Sequence, residues 1–362
     1  MSTTKMDVMD YDDAVNAINV NGRKPKSGKR VTYLLMGNPG VGKTSIMEAL
    51  KTLNPTHEEA MIDCANLDLG DLLMPYMDKE IGATRYLPNV HFGFHKKKPL
   101  IVGLDEFTKA QQSVQNMLLP LILEDRIGDL HLMEDSILFA TGNSIELNLG
   151  DKLKSHVRNR VITIKFRCPT ATKWLSYATK NNAHPLMIAY VHETPDVMKE
   201  YTDAGQSKNS RIFNPPEGII NTYLSPRSAM MASHVLYGRE QVGARATLAS
   251  LIGAIGETAA MELNAFIQLN DKLPTWEAIL ADPTGIELHD DPMAEIITTY
   301  KAVNQVTAQT MPKWLKYLTR LSKEKQGLFA KSLSASDNSK SMACKEFIDW
   351  ATTNNYLFKK AV

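Results

Sequence analysis

Cysteine is scarce: the 362 residues contain only Cys64, Cys168 and Cys344, far apart along the chain. No disulfide framework or closely spaced metal pair can be built from three such residues, and a reducing compartment, the cytoplasm, is predicted over secretion. Charge of one sign is lacking too, with 41 Lys+Arg against 40 Asp+Glu and a formal net charge of +1. That balance excludes whole-molecule attraction to nucleic acid and leaves only a local basic patch. No charge-free apolar run reaches the roughly 20 residues that crossing a bilayer requires. The opening MSTTKMDVMDYDD holds no apolar stretch of the signal-peptide type. The nine histidines are scattered without metal-ligand spacing. A soluble protein without membrane contact is expected.

The length predicts two or three domains with sizeable cores. In the first half, short apolar runs alternate with amphipathic stretches. The runs are Val31–Met36, Ala60–Cys64, Leu100–Leu104, Ile137–Thr141 and Val161–Phe166, and stretches such as Ser45–Leu53 and Gln111–Glu124 lie between them. Nearly continuous apolar strands are those buried on both faces of a parallel sheet. The fold class predicted is α/β, a five-stranded parallel sheet with helices on both faces. After Arg167-Cys-Pro169 strand signals vanish, and Ala171–Tyr201, Pro226–Gly238 and Ala244–Leu269 pattern as helices. Gly253-Ala-Ile-Gly256 within the last is expected to permit close helix packing. Thr202–Glu217 is a long polar loop or insertion. The expected domains are an α/β core over 1–168, an all-α lid over 169–270 and a helical C-terminal extension over 271–362.

The strongest chemical signal is Gly37-Asn38-Pro39-Gly40-Val41-Gly42-Lys43-Thr44, followed by Ser45. It fits the phosphate-loop pattern G-x-x-x-x-G-K-[ST], with an apolar strand before it and an amphipathic helix after it. Phosphate oxygens need converging backbone N–H donors, glycines let the chain wrap that tightly, and the next helix points its positive end at the anion. Lys43 is expected to reach the β- and γ-phosphates of ATP, and the Thr44 hydroxyl to ligate Mg²⁺. The strand Leu100–Leu104 ends in Asp105-Glu106. There Asp105 suits a Mg²⁺ ligand through water and Glu106 a general base for the attacking water, unless the two are merely helix-start charges. Asn143, after Ile137-Leu-Phe-Ala-Thr-Gly, is placed either to orient the lytic water or simply to turn the chain. Arg158 and Arg160 are either solvated helix-end charges or a finger offered to a neighbouring subunit. Ser225-Pro226-Arg227 has the form of a helix start, which would fix Arg227 accurately. Lys96-Lys-Lys98 is expected to be a solvated run, with an edge of a DNA or partner contact as the alternative.

Taken in order, GNPGVGKT, IVGLDEFTKAQQSVQNMLLPLILEDR, ILFATGN, HVRNRVITIKF and LSPRS resemble an AAA+ ATPase, and more narrowly its MoxR-type branch, over about residues 15–240. The resemblance implies Walker A at Lys43 and Thr44, Walker B at Asp105 and Glu106, sensor 1 at Asn143, a trans arginine finger at Arg160 with Arg158 as the alternative, and sensor 2 at Arg227. It also implies Mg-dependent ATP hydrolysis by a homo-oligomeric ring, commonly hexameric, with nucleotide between protomers. Its partner would be a protein substrate or a protein with a von Willebrand A domain. A nucleic-acid motor or loader is the alternative. The branch carries two insertions, for which Thr84–His95 and a hairpin at Arg126–Asp135 are the candidates. Gly103 departs from the branch, which commonly has a bulky apolar residue in that strand.

Overall fold

The computed structural model describes residues 8–26, 28–143, 155–289 and 291–358. The chain divides into two compact units, Met1–Cys168 and Pro169–Val362. The strands of the first unit are β1 (Val8–Met9), β2 (Tyr33–Gly37), β3 (Glu58–Asp63), β4 (Leu73–Asp78), β5 (Ala83–Pro88), β6 (Leu100–Asp105), β7 (Arg126–Ile127), β8 (Leu130–His131), β9 (Ile137–Asn143) and β10 (Ile162–Phe166). Its helices are α1 (Tyr11–Asn21), α2 (Ile46–Leu53), α3 (Leu69–Leu72), α4 (Gln112–Glu124) and α5 (Ser155–Arg158).

Among the described residues the main sheet is parallel and six-stranded, in the order β1-β10-β2-β9-β6-β3. Five strands were expected. The sixth, β1, adds at the edge by pairing Val8 with Lys165 and Met9 with Phe166, and two residues are too few to leave a periodic signal. Alternation sorts the strand residues onto two faces. Leu34, Met36, Val102, Leu104, Leu138 and Ala140 share one core with Val114 and Leu118 of α4. Tyr33, Leu35, Ile101, Ile137, Phe139 and Ile164 share the other with α1 and α2. Burial on both faces explains why β2 and the Ile137–Ala140 part of β9 are continuously apolar.

Two antiparallel hairpins leave this sheet. β4 pairs with β5 from Leu73↔Pro88 to Asp78↔Ala83, and this hairpin begins about ten residues before Thr84, where an insertion was expected to start. β7–β8 falls where a hairpin was expected. Gly103 has a packing reason. A Cβ there would lie 2.7 Å from Met61 Sδ, 2.9 Å from Phe139 Cζ and 3.2 Å from Met47 Cε. Three large neighbours fill the volume that a side chain at position 103 would take.

The second unit holds α6 (Ala171–Lys180), α7 (Pro185–Glu193), α8 (Pro226–Tyr237), α9 (Arg239–Val242), α10 (Ala244–Ile255), α11 (Glu257–Asn270), α12 (Trp276–Ala281), α13 (Pro292–Gln305), α14 (Met311–Leu318), α15 (Lys323–Ala335) and α16 (Lys345–Thr353). Ala294, Ile296, Ile297 and Tyr300 of α13 lie in the same core as α7, α8, α10 and α11, while α14–α16 build a second core around Trp314 and Phe329. Two expected helices are broken. Ala171–Tyr201 is divided between α6 and α7, around Asn182 in the left-handed region at φ 52°. Ala244–Leu269 is divided at Gly256, whose φ is 82°. The expected close packing is seen at Gly256, where a Cβ would lie 2.9 Å from Thr222 O, and not at Gly253, where a Cβ would meet nothing within 4 Å. The polar stretch 202–217 is tied down: Arg211 pairs with Asp196 and with Glu262 (3.3 Å), and the buried Asn214 exchanges backbone hydrogen bonds with Ile219.

Candidate functional site

Parallel strands bring their C-terminal ends to one edge. Register places Gly37 at the end of β2 opposite Asn143 at the end of β9, and Asp63 at the end of β3 opposite Asp105 at the end of β6. The loop Gly37–Ser45 leaves that edge and runs into α2. Gly40 (φ 79°) and Gly42 (φ 100°) use left-handed backbone, and a Cβ on Gly37 would lie 2.5 Å from Phe166 O. Each of the three positions therefore requires glycine, one through close approach and two through backbone conformation. Ser45 Oγ donates to Gly42 O at 2.7 Å, and Tyr11 Oη donates to Ser45 O at 2.9 Å, which fixes the turn into the helix.

Lys43 is buried, with its Nζ donating to Gly37 O (2.7 Å), Asn38 O (3.1 Å) and Asn143 Oδ1 (3.1 Å). One ammonium thus joins both ends of the loop to a side chain 100 residues away. Asn143 lies within β9, so its alternative reading as a chain turn is overturned.

Two residues before Asn143, the fully buried Thr141 does what no sequence signal assigned to it. Its hydroxyl donates to Asp105 Oδ1 and accepts from the backbone N–H of Glu106 at 3.0 Å. The cue is a hydroxyl directly after the apolar run Ile137–Ala140. Gly142 between them admits no side chain, since a Cβ would sit 2.6 Å from both Met36 Sδ and Thr108 Cγ2. Glu106 takes a left-handed conformation at φ 49°, ψ 34°, which costs a non-glycine residue on the order of 1–2 kcal/mol. The Thr141 hydrogen bond and a turn closed by Lys109 N–H to Glu106 O (2.8 Å) hold it there. Its carboxylate pairs with Lys109 Nζ at 2.6 Å. Cys64, beneath Asp63 and Asp105, has its thiol pushed well above the ordinary range by burial and then by those two carboxylates. It is therefore not a nucleophile.

The arrangement suits a polyphosphate with Mg²⁺. Among the described residues no cluster of three His, Cys, Asp or Glu can hold a metal alone. Mg²⁺ characteristically uses one or two carboxylates and supplements them with phosphate oxygens. Thr44, at the entry to α2, and Asp105 supply hard oxygen donors of that kind, and the loop supplies N–H donors and Lys43.

Arg158 and Arg160 are exposed and are not brought to this cluster. They precede β10, and its register Ile162↔Tyr33 sets them at the N-terminal edge of the sheet. That edge is roughly 13 Å along the strands from the level of Gly37 at about 3.3 Å per residue. Arg227 belongs to the second unit, exposed on the first turn of α8, where Ser225 Oγ accepts from Ser228 N (3.2 Å) and Pro226 opens the helix. In the Lys96–Lys98 run, Lys96 and Lys98 pair with Glu58 at 2.9 and 3.2 Å. Those bonds hold the Glu58 carboxyl down at about 2.

Residues 32–161 match the family described as AAA domain (dynein-related subfamily). That span covers β2 to the turn before β10 and contains the loop, Asp105, Glu106, Thr141 and Asn143. Among solved structures the chain is similar to a mutant RuvB of Thermotoga maritima, at 14% identity and a TM-score of 0.35, with 81% of each chain covered.

Proposed function

We propose that the AAA domain at residues 32–161 makes this protein a Mg-dependent ATP hydrolase that assembles into a ring and remodels a protein partner, in the manner of the MoxR-type branch. The observation that carries the reading is one line of contacts across three strand ends. Lys43 bonds Asn143, and two residues back on the same strand Thr141 bonds both Asp105 and the backbone of Glu106. Anion-binding, metal-binding and proton-accepting groups are thereby held at fixed separations, and phosphoryl transfer depends on positioning and electrostatics rather than covalent chemistry.

In this reading the N–H groups of Gly37–Thr44 and the Lys43 ammonium bind the phosphates, while Thr44 and Asp105 hold Mg²⁺, which supplies charge neutralisation when bound. Glu106 accepts the proton of the attacking water on its carboxylate, which Lys109 orients. The Asn143 amide orients that water. Arg160, with Arg158 as the alternative, is assigned to the neighbouring protomer's nucleotide; its place at the far edge of the sheet supports a role in trans over one in its own site. Arg227 is proposed as the nucleotide-sensing arginine of the helical unit. The β4–β5 hairpin exposes Met74, Met77 and Ile81 at 63–65%. Adaptable methionine surface of this kind supports engagement of a protein partner, either a substrate or a von Willebrand A-type protein.

The test is Glu106→Gln in the full chain. The variant should bind ATP, lose turnover, and hold ring-sized oligomers in the presence of ATP. The partner reading is then tested by what co-purifies with it, protein supporting it and nucleic acid pointing to a motor or loader. Wild-type turnover by Glu106→Gln would remove Glu106 from its role.

A further inference from the structure

The edge of the sheet opposite the phosphate loop gathers positive charge from segments far apart in the chain. Parallel strands share one N-terminal edge as they share one C-terminal edge, so whatever precedes β10, β2, β9 and β6 is brought into line there. Residues 22–30, which lead into β2, hold five cations and no acid. Lys96-Lys97-Lys98 leads into β6, and Arg158 and Arg160 lead into β10. The whole chain carries a net charge of only +1, so this concentration is local. Neighbouring strands about 4.8 Å apart keep it within a strip roughly 10–15 Å long.

Most acids at this edge are already paired. Arg30 is buried, lies 2.9 Å from Asp125 and donates to Ser136 O at 2.6 Å. Arg23 pairs with Asp135, and its Nε donates to Asn19 O at 2.9 Å. Glu58 takes both Lys96 and Lys98. Glu134 and, on the outermost strand, Glu59 are exposed and make no ion pair to a described residue.

Lys24, Lys26, Lys29 and Lys97 remain. All four are exposed, and none makes an ion pair or a side-chain hydrogen bond to a described residue. Their backbone is nonetheless held. Arg23 and Arg30 pin the 22–30 loop near its two ends, Leu138 N donates to Gly22 O at 3.1 Å, and Lys24 N donates to Glu134 O at 3.4 Å. Lys97 N closes a short turn onto Phe94 O at 3.4 Å. Free ammonium groups thus stand on anchored backbone along one edge.

The kind of cation selects the partner. Lysine is a point charge on a flexible stem, which suits phosphates in varied orientations better than the bidentate pairing of a carboxylate. It is depleted from the cores of protein–protein interfaces, whereas lysines that neutralise phosphates supply the sequence-independent part of nucleic-acid binding. One strand of a duplex carries a phosphate about every 3.4 Å along its axis, so the roughly 10 Å from the approach of β2 to that of β6 faces about three of them.

We propose that this edge binds the phosphate backbone of duplex nucleic acid without reading its sequence, through Lys24, Lys26, Lys29 and Lys97. Arg158 and Arg160 extend the same charge but are left out, because the preceding reading assigns them to a neighbouring protomer's nucleotide. The contact lies at the opposite edge from Lys43 and needs no ATP. Its failure therefore leaves the ATPase reading untouched, and the reverse holds too. Nucleic acid that co-purifies through this edge is lost with the three lysines of the 22–30 loop, which distinguishes it from the load of a motor.

The test is a fluorescence-anisotropy titration of a labelled DNA duplex of about 20 base pairs with the full-length protein, without ATP, between about 50 and 200 mM salt. The same titration uses the triple variant Lys24→Gln, Lys26→Gln, Lys29→Gln and the single variant Lys29→Glu, each checked for wild-type circular dichroism and ATP turnover. Wild-type affinity should be equal for duplexes of unrelated sequence. It should fall roughly 100-fold over that rise in salt, since log Kobs drops by about 0.9 per neutralised phosphate for each decade of salt. The triple variant should bind more than about tenfold more weakly at the lower salt and lose only about fourfold over the same range, as one remaining lysine implies. Lys29→Glu should fall between the two, and Lys43→Ala should bind the duplex as the wild type does. The proposal is overturned by no saturable binding at about 50 mM salt or by an unchanged salt slope in the triple variant. Loss of binding in Lys43→Ala would also overturn it, by placing the phosphates in the loop. So would tighter binding of a polyglutamate peptide than of the duplex, which would assign the strip to an acidic protein segment.

Discussion

Thr141→Val removes one hydroxyl at nearly constant volume and tests how the two acids are held. Thr141 is fully buried and makes two contacts through that oxygen, to the Asp105 carboxylate and from the Glu106 N–H. A hydrogen bond to a charged group is worth about 1.5–3 kcal/mol, and stranding a buried N–H costs on the order of 1–3 kcal/mol. Because Asp105 is only half-buried, water recovers part of the first contribution, and a net destabilisation of about 2–3 kcal/mol is expected. Glu106 also loses the anchor of its left-handed backbone, so kcat should fall about 10–100-fold, equivalent to roughly 1.4–2.7 kcal/mol in the barrier. ATP affinity should change little, because Lys43 donates to Gly37 O, Asn38 O and Asn143 Oδ1. Thr141→Ser keeps the hydroxyl and should restore most of the rate. Phosphate release, nucleotide titration and urea melts read the three effects separately. Wild-type kcat in Thr141→Val, or equal losses in the Val and Ser forms, would refute the positioning role.

Other consequences follow from the same structure. Gly103→Val places new carbons among Met61, Phe139 and Met47 and should lower stability by about 1–3 kcal/mol or more, measured as the urea midpoint. Arg211→Met removes the ion pairs to Asp196 and Glu262 and should speed proteolytic nicking within 202–217, while cleavage at wild-type rate would show that other contacts hold the segment. His184 accepts from Leu186 N–H through Nδ1, and burial, followed by Arg239 and Lys301, holds its pKa down at about 4 against an ordinary 6.5. The stability this lends is fully present above pH 6.5 and is lost as pH falls toward 4, by at most about 1.4 kcal/mol per pH unit. Urea midpoints of His184→Gln should accordingly fall less steeply than wild type over that range.

Much of the candidate site is legible in the residues themselves. The loop at Gly37–Thr44 and the acids at Asp105-Glu106 follow apolar strands, and in a parallel sheet the C-terminal ends of neighbouring strands necessarily meet. Features decided by tertiary neighbours are not legible. Thr141 matters because register sets it beside Asp105, and Gly103 is glycine because three side chains from separate elements converge on it. The β4–β5 hairpin is largely exposed on both faces, so its sequence lacks the alternation that marks a half-buried strand. β1 is two residues long and exists only through its partner, β10. In the helical unit, apolar periodicity continues across Gly256, where only the backbone angle ends α10. A cavity around Lys301 in the helical unit draws on seven helices and has no local motif at all.

The central claim, that Lys43 and the acids serve one triphosphate, is tested most directly by equilibrium titration of ATP with Mg²⁺ into the wild-type chain and into Lys43→Ala, both confirmed folded. Saturable one-to-one binding by the wild type, lost in Lys43→Ala and weakened when Mg²⁺ is chelated, is the predicted result. Absence of binding to the wild type, or equal binding by the two chains, would contradict it.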